Sequence, residues 1–295
     1  LSQQRGCTSV SQIQPATTLP SALYVVATPI GHPGDLSGRA LQVLSQVDLI
    51  LAEDTRVTGQ LLKSVGVETR MISLNAHSEA GKAPRAIESL RAGESLALVS
   101  DAGTPAISDP GRLLVEACHQ AGLPVIPIPG PSALAAAISV SGLPASPLHF
   151  IGFLPSKGGA RQSELELALR WPGTLVLYEA PHRIEDLAAR LDRDAAGRRV
   201  VFARELTKAY EQLICVAAGQ CASWFENNPE RIRGEFVVLV GPKSDPGVAS
   251  DLNVDHLLSV LSRELPPSKA ASIASELMGL PKRDLYRQLT DAKEE

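Results

Sequence analysis

Three stretches of the chain combine glycine, proline and small hydroxyl residues as a ligand-holding loop would. They are Thr28-Pro-Ile-Gly-His-Pro-Gly-Asp35, Ser100-Asp-Ala-Gly-Thr-Pro105 and Pro129-Gly-Pro-Ser-Ala133. Glycine lets backbone approach a bound molecule closely, and proline keeps such a loop stiff. Three further stretches mix both signs of charge: Glu53-Asp-Thr-Arg56, Tyr178-Glu-Ala-Pro-His-Arg183 and Arg204-Glu-Leu-Thr-Lys208. Glu53, Asp54, Glu179, His182 and Glu205 are groups that can take a proton. Arg56, Arg183, Arg204 and Lys208 can orient a phosphate or stabilise developing negative charge. Asp54 has a second reading as the cap of the helix that follows it. His32 adds an imidazole that can take or give a proton. The common nucleotide fingerprints are missing: Gly31, Gly34 and Gly38 do not have G-x-G-x-x-G spacing, and no G-x-x-x-x-G-K-[ST] occurs.

The elements that must position these residues follow from hydrophobic periodicity. Short apolar runs at 23–27, 49–52, 70–74, 96–99 and 125–128 alternate with helical patterns at 39–47, 55–65, 84–91, 111–121 and 132–140. That alternation predicts parallel βαβ units in one α/β domain over 21–142. The helix at 84–91 is expected to carry Pro84 in its first turn, after a polar loop at 77–83. Ser132 is expected to cap the last helix. A proline-rich joint at 142–147 opens a second α/β domain over 143–243. Its strands are expected at 148–152, 174–178, 199–203, 212–217 and 235–240, with helices at 162–170 and 184–191. Strands here often succeed one another without a long helix, which predicts a mixed sheet. After a polar linker at 243–250, amphipathic segments at 254–264, 269–277 and 283–290 with a Gly/Pro turn at 279–281 predict a helix-turn-helix-like tail over 251–295. In such sheets ligands sit beyond the carboxyl ends of the strands, where all six stretches fall.

Composition narrows the function classes. Hydrophobic residues make up 44% and charged residues 20%, a globular balance. A net charge of −4 argues against coating nucleic acid through global charge, so an RNA ligand needs a local basic patch. Four cysteines without CxxC or Cys/His spacing predict reduced thiols, a cytoplasmic location and no metal. No apolar run approaches the roughly 20 residues of a membrane span, so no membrane partner is expected. Residues 1–20 are rich in Ser, Thr and Gln, and are expected to form a disordered leader rather than a signal peptide.

Several segments occur in an order that carries a family resemblance: LYVVATPIGHPGDLSGRAL, LAEDTRVTGQLL, ALVSDAGTPAISDPG, IPGPSALAAAISVSGLP, FIGFLPSK, LYEAPHR, ARELTKAYE and GEFVVLV. Together they resemble the tetrapyrrole-methylase superfamily, and within it the branch that methylates ribosomal RNA. The resemblance implies two α/β domains without the usual Rossmann methyltransferase topology, with S-adenosylmethionine in the cleft between them. The cofactor contacts it implies are Ser100, Asp101, Gly103, Thr104, Pro105, Ile107, Ser132 and Ala133. It further implies a homodimer, and as substrate the ribose 2′-hydroxyl of a cytidine in the 16S rRNA of the 30S subunit. Two departures stand out: His32-Pro33 replaces the family's usual Asn-Leu, and 215–219 lacks its basic, glycine-rich turn. Glu53, Arg56, Glu179, Arg183, Arg204 and Lys208 are expected to converge on the accepting hydroxyl, but the sequence does not select the base. Two other readings stay open, a small-molecule methyltransferase and a non-enzymatic RNA-binding protein.

Overall fold

Why the strands of the first sheet are apolar along almost their whole length becomes clear from what covers its two faces. The computed structural model describes residues 19–156, 158–243, 254–278 and 281–291. Within it, β1 (Leu23–Val26), β2 (Leu49–Ala52), β3 (Met71–Ser73), β4 (Leu96–Val99) and β5 (Val125–Ile128) form a parallel sheet in the order β3-β2-β4-β1-β5. Successive residues of a strand point to opposite faces. Ile50 therefore joins a core with Leu44 and Val26, while Leu51 joins another with Leu98 and Leu114. The covering helices are α1 (Gly38–Gln46), α2 (Thr55–Ser64), α3 (Glu79–Arg91) and α4 (Arg112–Gln120). The Ser37 hydroxyl caps α1, accepting from the Ala40 N–H at 3.0 Å.

Helix α5 (Ala133–Ser141) follows β5 but packs against the second sheet, where Ala137 and Ile138 meet Val201 and Leu239. That sheet contains β6 (Leu148–Phe153), β7 (Thr174–Glu179), β8 (Arg199–Arg204), β9 (Gln212–Ala217) and β10 (Phe236–Val240), in the order β6-β7-β10-β8-β9. Only β6 and β7 pair in parallel, so the sheet is mixed, as strands without intervening long helices require. Its other face carries α6 (Gly158–Leu169), α7 (Ile184–Asp194) and α8 (Cys221–Glu226) over a core that includes Phe202, Phe225 and Phe236. The tail helices α9 (Val254–Glu264), α10 (Pro267–Met278) and α11 (Lys282–Asp291) close on a small core of their own, built from Leu258, Ala270, Ala271, Ala274, Leu285 and Leu289.

Two local expectations are corrected. Helix α3 begins at Glu79, so Pro84 lies in its second turn, not its first. The earlier start follows from Glu79 itself, whose buried carboxylate accepts from the Leu114 N–H at the head of α4, 3.0 Å away. Ser132 occupies the cap position of α5, yet its side chain makes no capping hydrogen bond. The leader up to residue 18 and the linker from 244 to 253 lie outside the described residues.

Candidate active site

The loops beyond the carboxyl ends of the first sheet are tied to one another by backbone. Thr28 and Gly103 exchange both main-chain hydrogen bonds, at 2.9 and 3.0 Å. The Thr28 hydroxyl donates to the Ser100 carbonyl (3.2 Å), and the Thr104 hydroxyl donates to the Pro131 carbonyl (3.0 Å). All three Gly/Pro loops are thereby joined. Gly103 sits at φ +80°, a conformation that glycine adopts without penalty. A Cβ there would stand 3.3 Å from Ile30 Cγ2.

Across from these loops, strands β6, β7, β8 and β10 supply a second wall. Between the walls lies a cleft of about 390 Å³, within the size range of small-molecule sites. The first wall presents Ile30, Ala102, Gly103, Thr104, Ile107, Ser108, Asp109, Ser132 and Ala133. The second presents Phe153, Tyr178, Glu179, Ala203, Lys208 and Glu235, among others. Tyr178 is held between Phe150 and Phe153, with ring centroids 5.0 and 5.5 Å away. Its phenol oxygen accepts from the Leu134 N–H, but burial outweighs that bond and pushes its pKa up.

Of the eight residues expected at the cofactor, Gly103, Thr104, Ile107, Ser132 and Ala133 line the cleft, and Ser100, Asp101 and Pro105 do not. Ser100 is buried behind the loop, and its hydroxyl donates to the Ala102 carbonyl at 3.3 Å. Pro105 is buried, and the Asp101 carboxylate accepts from the Asp54 N–H at 3.0 Å.

The charged residues do not gather at one point. Glu179 and Lys208 line the cleft. Glu179 is 1% exposed and pairs with Arg161 Nη2 and Arg183 Nε, both at 2.7 Å. Arg183 thus acts on the cleft through Glu179. Arg204 is also buried, and its guanidinium donates to the Arg233 carbonyl (2.6 Å) and the Tyr210 carbonyl (3.0 Å). His182 is exposed in the short turn before α7 and is not in the cleft lining. Glu53, Asp54 and Arg56 stand apart at the end of β2. There Glu53 accepts from the Asp101 N–H (3.2 Å), and Asp54 caps α2 and pairs with Arg56. The Arg56 side chain is 87% exposed. Its hydrogen bonds hold the Asp54 carboxyl down at about 2.

The Arg204–Lys208 stretch instead ties the two walls together. The Lys208 ammonium lies 3.0 Å from both Glu205 and Glu235. The Thr207 hydroxyl accepts from the His32 N–H at 3.1 Å. A Cβ on Gly31 would stand 2.5 Å from Lys208 Cγ and 3.0 Å from the Leu206 carbonyl, so only glycine fits beneath this turn. Glu205 and Thr207 hold φ values of +49° and +63°, conformations that cost non-glycine residues about 1–3 kcal/mol each. Carboxylates offset the strain: Glu205 accepts from the Glu235 N–H (2.9 Å), and Glu211 accepts from the Thr207 N–H (2.6 Å).

Sequence reasoning missed Asp109, Tyr178, Phe153 and Glu235 as cleft residues. Asp109 ends the same run as the Ser100 loop, and a reading that followed the loop to its last residue finds it. Burial raises the Asp109 carboxyl, a Ser100 hydrogen bond opposes this, and the Asp101 charge adds to it. Among the described residues, no group of three or more His, Cys, Asp or Glu side chains is placed to hold a metal ion. None of the described helices is long and apolar enough to cross a membrane.

Comparison with known proteins follows the same division of the chain. Residues 22–221 match the family model of tetrapyrrole (corrin/porphyrin) methylases, and residues 248–293 match that of the RsmI C-terminal HTH domain. A protein of Xylella fastidiosa (strain Temecula1) named ribosomal RNA small subunit methyltransferase I is 47% identical over 268 residues, covering 90% of this chain and 98% of that one. A protein of Escherichia coli O157:H7 with the same name is 43% identical over 285 residues, covering 94% and 98%. Among solved structures, the Thermus thermophilus uroporphyrin-III C-methyl transferase complexed with S-adenyl homocysteine is similar at a TM-score of 0.53 and 20% identity, over 75% of this chain and 97% of that one. A diphthine synthase is similar at a TM-score of 0.58 and 16% identity, over 75% and 90%. At these identities the structural neighbours speak for the fold alone.

Proposed function

Since this chain belongs to the tetrapyrrole methylases, and within them to the ribosomal RNA small subunit methyltransferase I family, we propose that it methylates 16S rRNA in the 30S subunit. The finer reading is transfer of the methyl group of S-adenosylmethionine to the ribose 2′-hydroxyl of a cytidine. One observation carries the cofactor assignment: the first wall of the cleft is made of joined backbone loops and small side chains, with Gly103 at its centre. A zwitterionic molecule with an adenine ring suits such a wall, which offers peptide groups at close range. Gly103, Thr104, Ile107, Ser132 and Ala133 would hold it.

When bound, S-adenosylmethionine supplies an electrophilic methyl group on a sulfonium. The chain's own task is then to hold the accepting oxygen in line and to exclude water. Lys208, fixed between Glu205 and Glu235, presents a positive charge at the cleft beside the buried Glu179. That charge is placed to orient a phosphate or to favour ionisation of a hydroxyl.

Domains over 21–142 and 143–243, a homodimer, and a cytoplasmic place of action complete the reading. The tail engages RNA: exposed Lys269, Lys282, Arg283 and Arg287 stand on α10 and α11, where basic side chains can supply phosphate contacts on an acidic protein. Incubation with labelled S-adenosylmethionine and unmodified 30S subunits, followed by mapping of the modified nucleotide, tests the assignment. Label on a base or protein, or no label, would reject it. A protein ending before residue 251 should keep its cofactor affinity and lose methylation of subunits.

A further inference from the structure

Five ionisable side chains line the cleft: Asp109, Tyr178, Glu179, Lys208 and Glu235. Four are already engaged. Glu179 is locked between the guanidiniums of Arg161 and Arg183, and it also accepts from the Ala180 N–H at 2.8 Å. Glu235 and Lys208 pair at 3.0 Å. Tyr178 keeps its own proton, and its oxygen accepts from Leu134. Asp109 differs. It lines the cleft, it is partly buried, and among the described residues no cation pairs with it. Its place is fixed by the loop between β4 and α4. That loop is pinned at Gly103 and turns at Ala106 (φ +65°) and Gly111 (φ +127°), where a Cβ would stand 2.5 Å from Leu98 Cδ2.

We propose that Asp109 is the general base of the reaction. Its carboxylate takes the proton of the ribose hydroxyl as that oxygen bonds to the methyl carbon. The electron pair of the broken carbon–sulfur bond passes to sulfur. The products are a methyl ether, a neutral thioether and a protonated Asp109. This assignment rests on the proposed ribose methylation.

The surroundings suit the role. Asp101 and Glu53 lie on the side of the first sheet, and Tyr178, Glu179, Lys208 and Glu235 face Asp109 across the cleft. Burial and the charge of Asp101 raise its proton affinity, and a base works best when that affinity approaches the working pH.

Asp109→Asn preserves shape and removes the base. Single-turnover methylation of 30S subunits should fall by about a hundredfold or more, and the acid limb of its pH profile should vanish. Calorimetric affinity for S-adenosylhomocysteine should stay within about twofold of wild type, since general-base loss changes the transition state rather than cofactor binding. Asp101→Asn gives an independent check, because removing the neighbouring charge that raises Asp109 should move the acid limb to lower pH in a protein that still turns over. A normal rate and unchanged limb in Asp109→Asn overturns the proposal. So does a loss of affinity as large as the loss of rate, which makes Asp109 a cofactor anchor. Should Asp109→Asn not fold, an unshifted limb in Asp101→Asn overturns it instead. A wild-type protein that labels no ribose rejects the parent function, and the base assignment falls with it.

Discussion

Acidic residues of the two sheet units respond to their surroundings in opposite ways. At the strand ends of the first sheet, Glu53, Asp101 and Asp109 are pushed up chiefly by burial, with neighbouring carboxylate charge adding to it and hydrogen bonds opposing it without prevailing. In the second unit, burial also works against Asp192 and Glu205, yet both are held below the usual carboxylate range. For Asp192 the N–H groups of Ala222, Cys221 and Gly219 outweigh burial. For Glu205 the Glu235 N–H and Lys208 do so. The first unit therefore carries acidic charge that its own partners do not balance, and the second is complete within itself. The difference separates a surface prepared for a ligand from a scaffold that holds its shape without one.

The contrast breaks most visibly at Arg161, a charge that belongs wholly to the scaffold wall. Arg161→Met leaves the buried Glu179 with one guanidinium instead of two. Removing a partner from a buried ion pair costs about 3–5 kcal/mol, which denaturant titration can measure. Adding Glu179→Gln to that variant should restore part of the loss. Full stability in the single variant would place Glu179 among ligand-facing groups instead.

On the ligand wall the expected pattern reverses. Gly103→Val puts a branched side chain at φ +80° and into the cleft. Calorimetric affinity for S-adenosylhomocysteine should drop about a hundredfold, equivalent to roughly 2.7 kcal/mol. Unchanged affinity in a folded variant would move the cofactor away from this loop.

The smallest effects sharpen the comparison through pH. Asp192 has a lowered folded pKa, so its contribution to stability is present above the ordinary carboxylate range and is lost as pH falls through the folded value. Asp192→Asn should cost about 1.5 kcal/mol near neutrality, the scale of a hydrogen bond to a charged group, and should flatten the acid side of the stability curve. Asp109 has a raised folded pKa, so between its unfolded and folded values the native state binds the extra proton, and stability falls as pH rises. Asp109→Asn should therefore raise the melting temperature slightly at neutral pH. A shared sign in the two variants would erase the distinction between the walls.

Much of this was legible in the chain itself, because the signals were local. Leu96-Ala-Leu-Val99 reads as a doubly covered strand from its composition, and the three Gly/Pro loops read as strand-end loops from theirs. What escaped depends on distant partners. Helix α8 is stabilised by Asp192 of α7, whose carboxylate accepts from the N–H groups of Gly219, Cys221 and Ala222. The start of α3 depends on Leu114, 35 residues away. Arg204 and Lys208 lie four residues apart and carry the same charge. Yet one donates to backbone carbonyls beneath the surface and the other reaches the cleft, and neither spacing nor residue type distinguishes them. Asp109 was hidden for a different reason. Its neighbours Ser108 and Pro110 suggest an ordinary turn, and its importance comes from the partner it lacks.

Gly31 carries a consequence for heredity. Every single-base change in a glycine codon that replaces glycine by another amino acid introduces a Cβ. At this position that atom would meet the Lys208 stem, the Thr207 hydroxyl and the Leu206 carbonyl at 3.0 Å or less. No neighbouring codon therefore offers a missense step free of that contact. Escape would need a paired change in the turn that covers it, made before or together with the first.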